Sequence, residues 1–411
     1  MTHFLQLDNG IRLIVKQMQG LLSVTMGIIV GTGACVETDK EDGVSHFIEH
    51  MMFKGTKKRN AFQISDELES LGAQVNAFTS KDITCYYVKS ITSTAPKAFE
   101  ILADLFLEST FPEDEMVKEK GVIVEEINMY DDNPDELCLY LLEQAYYGER
   151  GYGRTILGTI DNVNSFTKAD VDDYMQARYT TDNIVISMAG NITKEQAIEL
   201  ANKYFTHLPA TKKAERKIEH AFNYSSLVKK KDIEQIHIGM AFDSVARYDE
   251  LQNASQILNI ILGGGMSSRL YQRVREELGL AYTVYSYLAP ADGCGNLTVY
   301  AGVNAKNYLK SYDAIIDCIK TLKNSAIKQE EFERCKQQML ASLIYSQENT
   351  GSQMLLYGKE LIYKNEIYDF ESKTSAIENL KIDKVNEALQ INLDLERCAK
   401  VLVGNVDKPL N

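Results

Sequence analysis

The chain of 411 residues has no tryptophan, six prolines and six histidines. With so little proline and no low-complexity tract, collagen-like, Pro-rich and disordered architectures are excluded. No run of 18 apolar residues occurs, so no membrane-spanning helix is expected. The first residues run straight into a hairpin signal at Asn9-Gly10. They lack an apolar secretory region and an Arg-rich transit segment, and the expected location is cytoplasmic. The seven cysteines (Cys35, Cys85, Cys138, Cys294, Cys318, Cys335 and Cys398) are odd in number and scattered, with no C-x-x-C pair. They read as buried, reduced thiols, and nothing marks a partner base for a thiol nucleophile. Positive charge is in deficit, 44 Lys and Arg against 58 Asp and Glu, for a net charge of −14. That argues against a nucleic-acid partner and is compatible with basic peptide substrates, although solubility alone accounts for an acidic surface equally well.

What remains is a globular composition, 45% apolar and 25% charged, in a chain long enough for two domains of roughly 200 residues each. One stretch carries chemistry: Ser45-His46-Phe47-Ile48-Glu49-His50-Met51, followed by Met52-Phe53-Lys54-Gly55-Thr56. Apolar residues fill its gaps and no proline interrupts it, so a helix is expected. On a helix His46, Glu49 and His50 share one face. Two neutral imidazoles suit a zinc ion, and the carboxylate between them is placed to take a proton from a zinc-bound water. The order H-x-x-E-H is the inverzincin signature. The plainer alternative is a solvated helix face. A structural zinc needs four protein ligands and a catalytic one three, so a further ligand must come from elsewhere.

The order of elements supplies the next level. Strands are expected at 4–7, 11–16 and 24–30, then the motif helix, a helix at 61–71, strands Gln74–Thr79 and Thr84–Ile91, and helices at 95–107 and 113–130. Capping boxes at Thr167 and Thr193 open two more helices around a buried strand at 183–189. A basic segment with Lys212-Lys213, Arg216-Lys217 and Lys229-Lys230-Lys231 reads as a solvated linker. The second half then repeats the first, with a strand at 237–242, a helix at 249–262, a strand at 296–303 and a helix at 306–322. Ala189-Gly190-Asn191-Ile192 is echoed by Val403-Gly404-Asn405-Val406. The pattern implies duplication of one α+β domain, each copy a mainly antiparallel sheet covered by helices. The expected boundaries are a metal-binding domain at 1–212, a linker at 213–231 and a homologous domain at 232–411. The copy has no histidines on its corresponding helix. It carries instead Gly263-Gly264-Gly265-Met266, then Arg275 and Tyr282.

The H-x-x-E-H stretch and Glu119-Lys120-Gly121-Val122-Ile123-Val124-Glu125-Glu126 together resemble the pitrilysin and mitochondrial-processing-peptidase family of zinc metallopeptidases. The resemblance runs from the Asn9-Gly10 hairpin to Gly404-Asn405. It implies that Glu126, about 75 residues past His50, completes the metal site and that Glu119 supports it. Glu125 is the ligand if the register slips by one. It implies an Arg and a Tyr seven residues apart that hold substrate carbonyls, here Arg275 and Tyr282. It implies an edge strand, Asn76-Ala77-Phe78-Thr79, to which substrate adds as a further strand. In mitochondrial members two acids past the zinc glutamate recognise a substrate arginine; Glu136 fits the first place and Tyr140 occupies the second. The implied activity is zinc-dependent endopeptidase action on peptides or unfolded segments, basic ones among them. The implied assembly is a homodimer of half-clamshells enclosing a chamber, with one Zn2+ per subunit. Glu49 would be the base and Tyr282 would meet the charge developing on oxygen. The reading from a different class is a catalytically inactive structural subunit of such an assembly.

Overall fold

The computed structural model of the protein describes residues 1–215, 218 and 222–410. Among these residues eleven strands form two sheets. The first contains β1 (Thr2–Gln6), β2 (Arg12–Gln17), β3 (Ser23–Val30), β4 (Gln74–Thr79), β5 (Thr84–Ile91) and β6 (Ile184–Gly190), in the spatial order β1-β2-β6-β3-β5-β4. The second contains β7 (Ser226–Lys230), β8 (Gln235–Asp243), β9 (Ala281–Pro290), β10 (Gly295–Asn304) and β11 (Cys398–Gly404), in the order β7-β11-β8-β10-β9. In each sheet a single neighbouring pair is parallel, β2 with β6 and β7 with β11. With β1 set aside the two orders superpose strand for strand, so the duplication expected from the sequence is present in the topology. Two α+β domains with mainly antiparallel sheets result.

The central strands of each sheet are buried on both faces, which is why β6 is buried along its whole length, and apolar but for Ser187, rather than alternating. In the first sheet one face packs on the motif helix (Val44–Met51), the helix Ala95–Glu108 and their neighbours through Phe47, Met51, Phe99 and Leu102. The helix Thr350–Tyr363 covers its other face, seating Met354, Tyr357 and Leu361 against Ile29, Ile14 and Val185. Polar stitches fix that helix: Thr25 Oγ1 lies 2.8 Å from Thr350 Oγ1, Ser187 Oγ donates to the Met354 carbonyl at 2.6 Å, and Arg12 donates to the Leu361 carbonyl at 2.6 Å. In the second sheet the helix Pro134–Tyr147 takes the corresponding place on β8 and β11. There Tyr146 donates to Asp243 at 2.7 Å, and Asn296 donates to the Tyr147 hydroxyl at 3.1 Å.

Each sheet therefore takes a covering helix from the other half of the sequence. One compact unit comprises residues 1–127, 154–218 and 345–369, and the other comprises 128–153, 219–344 and 370–411. A glycine at the same place in each central strand admits the visiting helix. A Cβ on Gly27 of β3 would stand 2.5 Å from Met354 Sδ, and one on Gly239 of β8 would stand 3.1 Å from Cys138 Sγ.

The basic segment read as a solvated linker is only partly one. Lys229 and Lys230 belong to β7, an edge strand paired with β11. Lysines on an edge keep it soluble and discourage further pairing, which is the reason a strand here has the composition of a linker. Arg216 and Lys217 lie outside the described residues.

Two glycines give opposite expectations. A Cβ at Gly358, on the covering helix, would meet Ile29 Cδ1 at 2.2 Å and Ser187 Cβ at 3.1 Å, whereas one at Gly121 would meet nothing within 4 Å. Gly358→Ala should destabilise by about 1–3 kcal/mol through overpacking. Gly121→Ala, in an exposed helix position, should leave stability unchanged or raise it by up to ~1 kcal/mol. Thermal melts of the two variants should move in opposite directions, or only the Gly358→Ala midpoint should fall.

Candidate metal centre

The motif helix is held at both ends. Ahead of it Glu37 is buried, and its carboxylate accepts the Gly43 N–H at 2.7 Å and the Ser45 N–H at 2.9 Å. Those are first-turn donors with no helical partner, and a carboxylate there also meets the positive end of the helix dipole. Burial pushes the Glu37 carboxyl up to about 7 despite those bonds. Ser45 Oγ continues the network to the Tyr174 hydroxyl at 2.8 Å, which meets Thr32 Oγ1 at 2.9 Å. Past the helix, Lys54 Nζ lies 2.5 Å from Glu119 Oε2. Thr56 donates to Asp104 at 2.8 Å, where Arg59 also binds at 2.7 Å.

Between these clamps the helix presents His46 and His50 to the helix Glu113–Asp132. Glu126 Oε2 stands 3.7 Å from His46 Nε2 and 3.5 Å from His50 Nε2. One ligand atom from each of the three residues lies within 4.8 Å of the others. A tetrahedral ion with bonds of about 2.0–2.2 Å requires ligand atoms roughly 3.3–3.6 Å apart, so this donor set fits a zinc ion in composition, and the two Glu126 distances of 3.5 and 3.7 Å lie close to that spacing. Three ligands leave a fourth position for another oxygen. Glu125 is exposed and outside the group, which is built with Glu126.

The remaining ring nitrogens differ. His50 Nδ1 pairs with Glu119 Oε1 at 2.8 Å. A carboxylate on the far nitrogen fixes the ring's rotation and leaves Nε2 to face the ligand group. His46 Nδ1 is buried with no hydrogen-bond partner among the described residues, so packing holds that ring. The electrostatics follow. Burial pulls His50 down, but hydrogen bonds to Glu119 and Glu126 outweigh it and raise the imidazole to about 9. His46, deeply buried and beside a charged His50, falls to about 4. Burial opposes ionisation of Glu119, yet His50 and Lys54 hold it below the usual carboxylate range. Glu126 is held low first by its hydrogen bond with His50. Glu49 goes the other way: burial raises it, opposed by a hydrogen bond from Thr79.

Comparison with known proteins places the chain. The family model described as Insulinase (Peptidase family M16) matches residues 13–160, and that described as Peptidase M16 inactive domain matches residues 165–339. A Bacillus subtilis protein named Uncharacterized zinc protease YmxG is 39% identical over 379 residues, covering 92% of each chain. The chain belongs to the M16 peptidase family. An uncharacterized zinc protease of Streptomyces coelicolor is 32% identical over 92% of this chain and 84% of its own. Among solved structures, a Helicobacter pylori protease matches with a TM-score of 0.90 at 22% identity, over 98% of this chain and 99% of that one. A Pseudomonas fluorescens structure described as a peptidase M16 inactive domain matches with a TM-score of 0.91 at 21% identity, over 100% of both chains. These two likenesses speak for the fold.

The His46–His50–Glu126 group falls within the first matched region, and the region described as inactive includes the helix Gln252–Leu262, which has no histidine. Asn76, Ala77, Phe78 and Thr79 lie on β4, which pairs only with β5 and is a sheet edge among the described residues. Tyr282 lies on β9, the equivalent edge of the second sheet, and is 77% exposed. Arg275 stacks between the rings of Tyr271 and Tyr282, 4.8 and 5.1 Å from their centroids. Its helix widens locally: the Leu278 N–H bonds to the Arg273 carbonyl and the Leu280 N–H to the Val274 carbonyl, spans of five and six residues. Such wide turns recur at functional sites. Glu136 is exposed in the first turn of Pro134–Tyr147, with its charge felt by Tyr285 and Tyr300. Tyr140 accepts a hydrogen bond from Gln144 at 2.9 Å.

Sequence reasoning missed Lys54 and Glu37. Lys54 carries no helical signal, because the helix ends at Met51 and the lysine reaches Glu119 from the turn that follows. Glu37 carries no local signal, since its partners are backbone groups of a helix that begins seven residues later.

Binding of a metal at His50 must displace a proton from a ring held at about 9. Zinc affinity should therefore rise with pH, by about tenfold per unit where one proton is released, and level off above pH 9. Competition against a chelator of known pH dependence between pH 6 and 8.5 checks this. Glu119→Gln should weaken binding by roughly 10–100-fold and flatten the slope. A flat profile in the native protein contradicts the arrangement.

Proposed function

We propose that this M16 chain is a zinc-dependent endopeptidase that cleaves peptides or unfolded segments. The observation that carries the reading is the His46–His50–Glu126 group with Glu49 on the same helix face and outside the ligand set. His46, His50 and Glu126 would hold one Zn2+ per subunit, with Glu119 and Lys54 fixing the His50 ring. When bound, zinc supplies Lewis acidity towards a carbonyl oxygen and brings the pKa of a water down to about 7.

The residues of the chain then have separable roles. Glu49, raised by burial, accepts the proton of the attacking water as the new C–O bond forms. It returns that proton to the leaving nitrogen as the C–N bond breaks. The Tyr282 phenol donates a hydrogen bond to the oxygen on which charge develops, and Arg275 stacked on its ring holds it in place. Asn76 to Thr79 offer the free edge of β4 for backbone pairing with an extended substrate. Backbone pairing is tolerant of sequence, so preference for basic side chains rests on acids such as Glu136 and on the overall negative charge. The seven free, buried cysteines suit a reducing cytoplasmic setting.

The reading as an inactive structural subunit draws on the description of the second matched region. That region includes the helix Gln252–Leu262, which carries no histidine, and the His46–His50–Glu126 group lies outside it. A homodimer with Arg275 and Tyr282 acting on the partner's zinc site completes the proposal, since the chemistry is favoured where water is excluded from the reacting groups.

Glu49→Gln should retain zinc and lose roughly three or more decades of peptide turnover, measured on a mixed peptide library with cleavage sites read by mass spectrometry. Mixed with Tyr282→Phe and allowed to exchange subunits, it should regain activity above either parent. Near-native cleavage by Glu49→Gln contradicts its role as base. Proven exchange without recovery contradicts action across subunits.

A further inference from the structure

A base must be aimed as well as basic, and Glu49 is aimed by the edge strand. Thr79 is the last residue of β4, paired across to Thr84 of β5. Its hydroxyl donates to Glu49 Oε2 at 2.6 Å, and its backbone N–H is directed to the same carboxylate. Among the described residues no Lys, Arg or His forms an ion pair with Glu49, so Thr79 is the residue seen to fix that side chain. Charge-assisted hydrogen bonds of this length are strong and directional.

We propose that Thr79 is a positioning residue for Glu49, pinning Oε2 so that Oε1 receives the proton, and that it couples the base to the strand on which substrate pairs. The coupling follows from place. Residues 76 to 79 form the free edge, and the side chain at its end is the one that holds Glu49. An extended peptide that orders β4 thereby orders the base, whereas a poorly paired one leaves it less well aimed. Discrimination among substrates would then be expressed in kcat as well as in binding. The inference rests on the metallopeptidase reading. The plainer alternative is a hydrogen bond that only ties the strand end to the helix.

Two measurements on zinc-loaded protein separate these: steady-state cleavage of a quenched fluorogenic peptide, and NMR of carboxyl-13C-glutamate-labelled protein, with Glu49 assigned by loss of its signal in E49Q. Thr79→Val keeps the shape and removes the donor, and Thr79→Ser keeps the donor. T79V should retain full zinc and lose roughly 10–100-fold in kcat, the scale of a misplaced catalytic group. Its KM should stay within about threefold, since the lost interaction is not a ground-state contact with substrate. T79S should recover most of the loss. The Glu49 resonance should move in T79V and return in T79S. Native kcat in T79V, a raised KM at unchanged kcat, T79S as impaired as T79V, or a Glu49 resonance indifferent to T79V would each overturn the proposal. Should T79V fold poorly, Thr79→Ala compared with T79S makes the same test. If the native protein cleaves no peptide, the metallopeptidase reading falls, and the NMR comparison still decides whether Thr79 holds Glu49.

Discussion

Two imidazoles one helical turn apart converge on an ion only when their rings are kept from rotating. In this protein the decisive restraint is the pair of contacts from His50 Nδ1 to Glu119 and from Glu119 to Lys54, 2.8 and 2.5 Å long. Lys54 stands on the turn that ends the motif helix, and Glu119 on the helix that also brings Glu126. One buried carboxylate thus ties together the helices that carry His46, His50 and Glu126 and sets the ring that faces Glu126. Glu37 does the corresponding work at the other end by satisfying the helix's first N–H groups. The rest of the first sheet, with its buried strands and covering helix, provides the rigid support that such a constellation needs.

The exchange of helices between the halves adds a constraint of another kind. Ile14, Ile29 and Val185 are buried only because the helix Thr350–Tyr363 lies on them. A strand covered on both faces can be buried throughout, and β6 is, with Ser187 as its one polar side chain. The half of the sequence that holds His46, His50 and Glu126 therefore depends for its second face on residues more than 150 positions later, and duplication alone does not make either half self-sufficient. Gly27 and Gly239 record this in the sequence as single missing side chains on the central strands.

How far the sequence disclosed this depended on the range of each interaction. The H-x-x-E-H spacing, the duplicated order of strands and the Gly190 and Gly404 echoes were readable because they are local or repetitive. The fold class followed from them. Glu126 could be named only through resemblance, because nothing in an acidic helix says which carboxylate will meet a histidine 76 residues earlier. The lysines of β7 have the composition of a linker because an edge strand and a solvated loop are alike in sequence. The covering helices were invisible, since a glycine in a strand does not reveal which distant helix will press on it. The bond from Thr79 to Glu49 likewise joins a strand end to a helix thirty residues away, and no periodicity encodes it.

Two imidazoles and one carboxylate stand together before any metal binds. X-ray absorption at the zinc edge of the protein loaded with one equivalent of zinc tests that arrangement most directly. Only nitrogen and oxygen neighbours at about 2.0–2.2 Å are expected, with the multiple scattering of two imidazoles and none from sulfur at about 2.3 Å. Glu126→Ala should change the oxygen shell and leave both imidazoles in place. A sulfur shell, or fewer than two imidazoles at full occupancy, would contradict it.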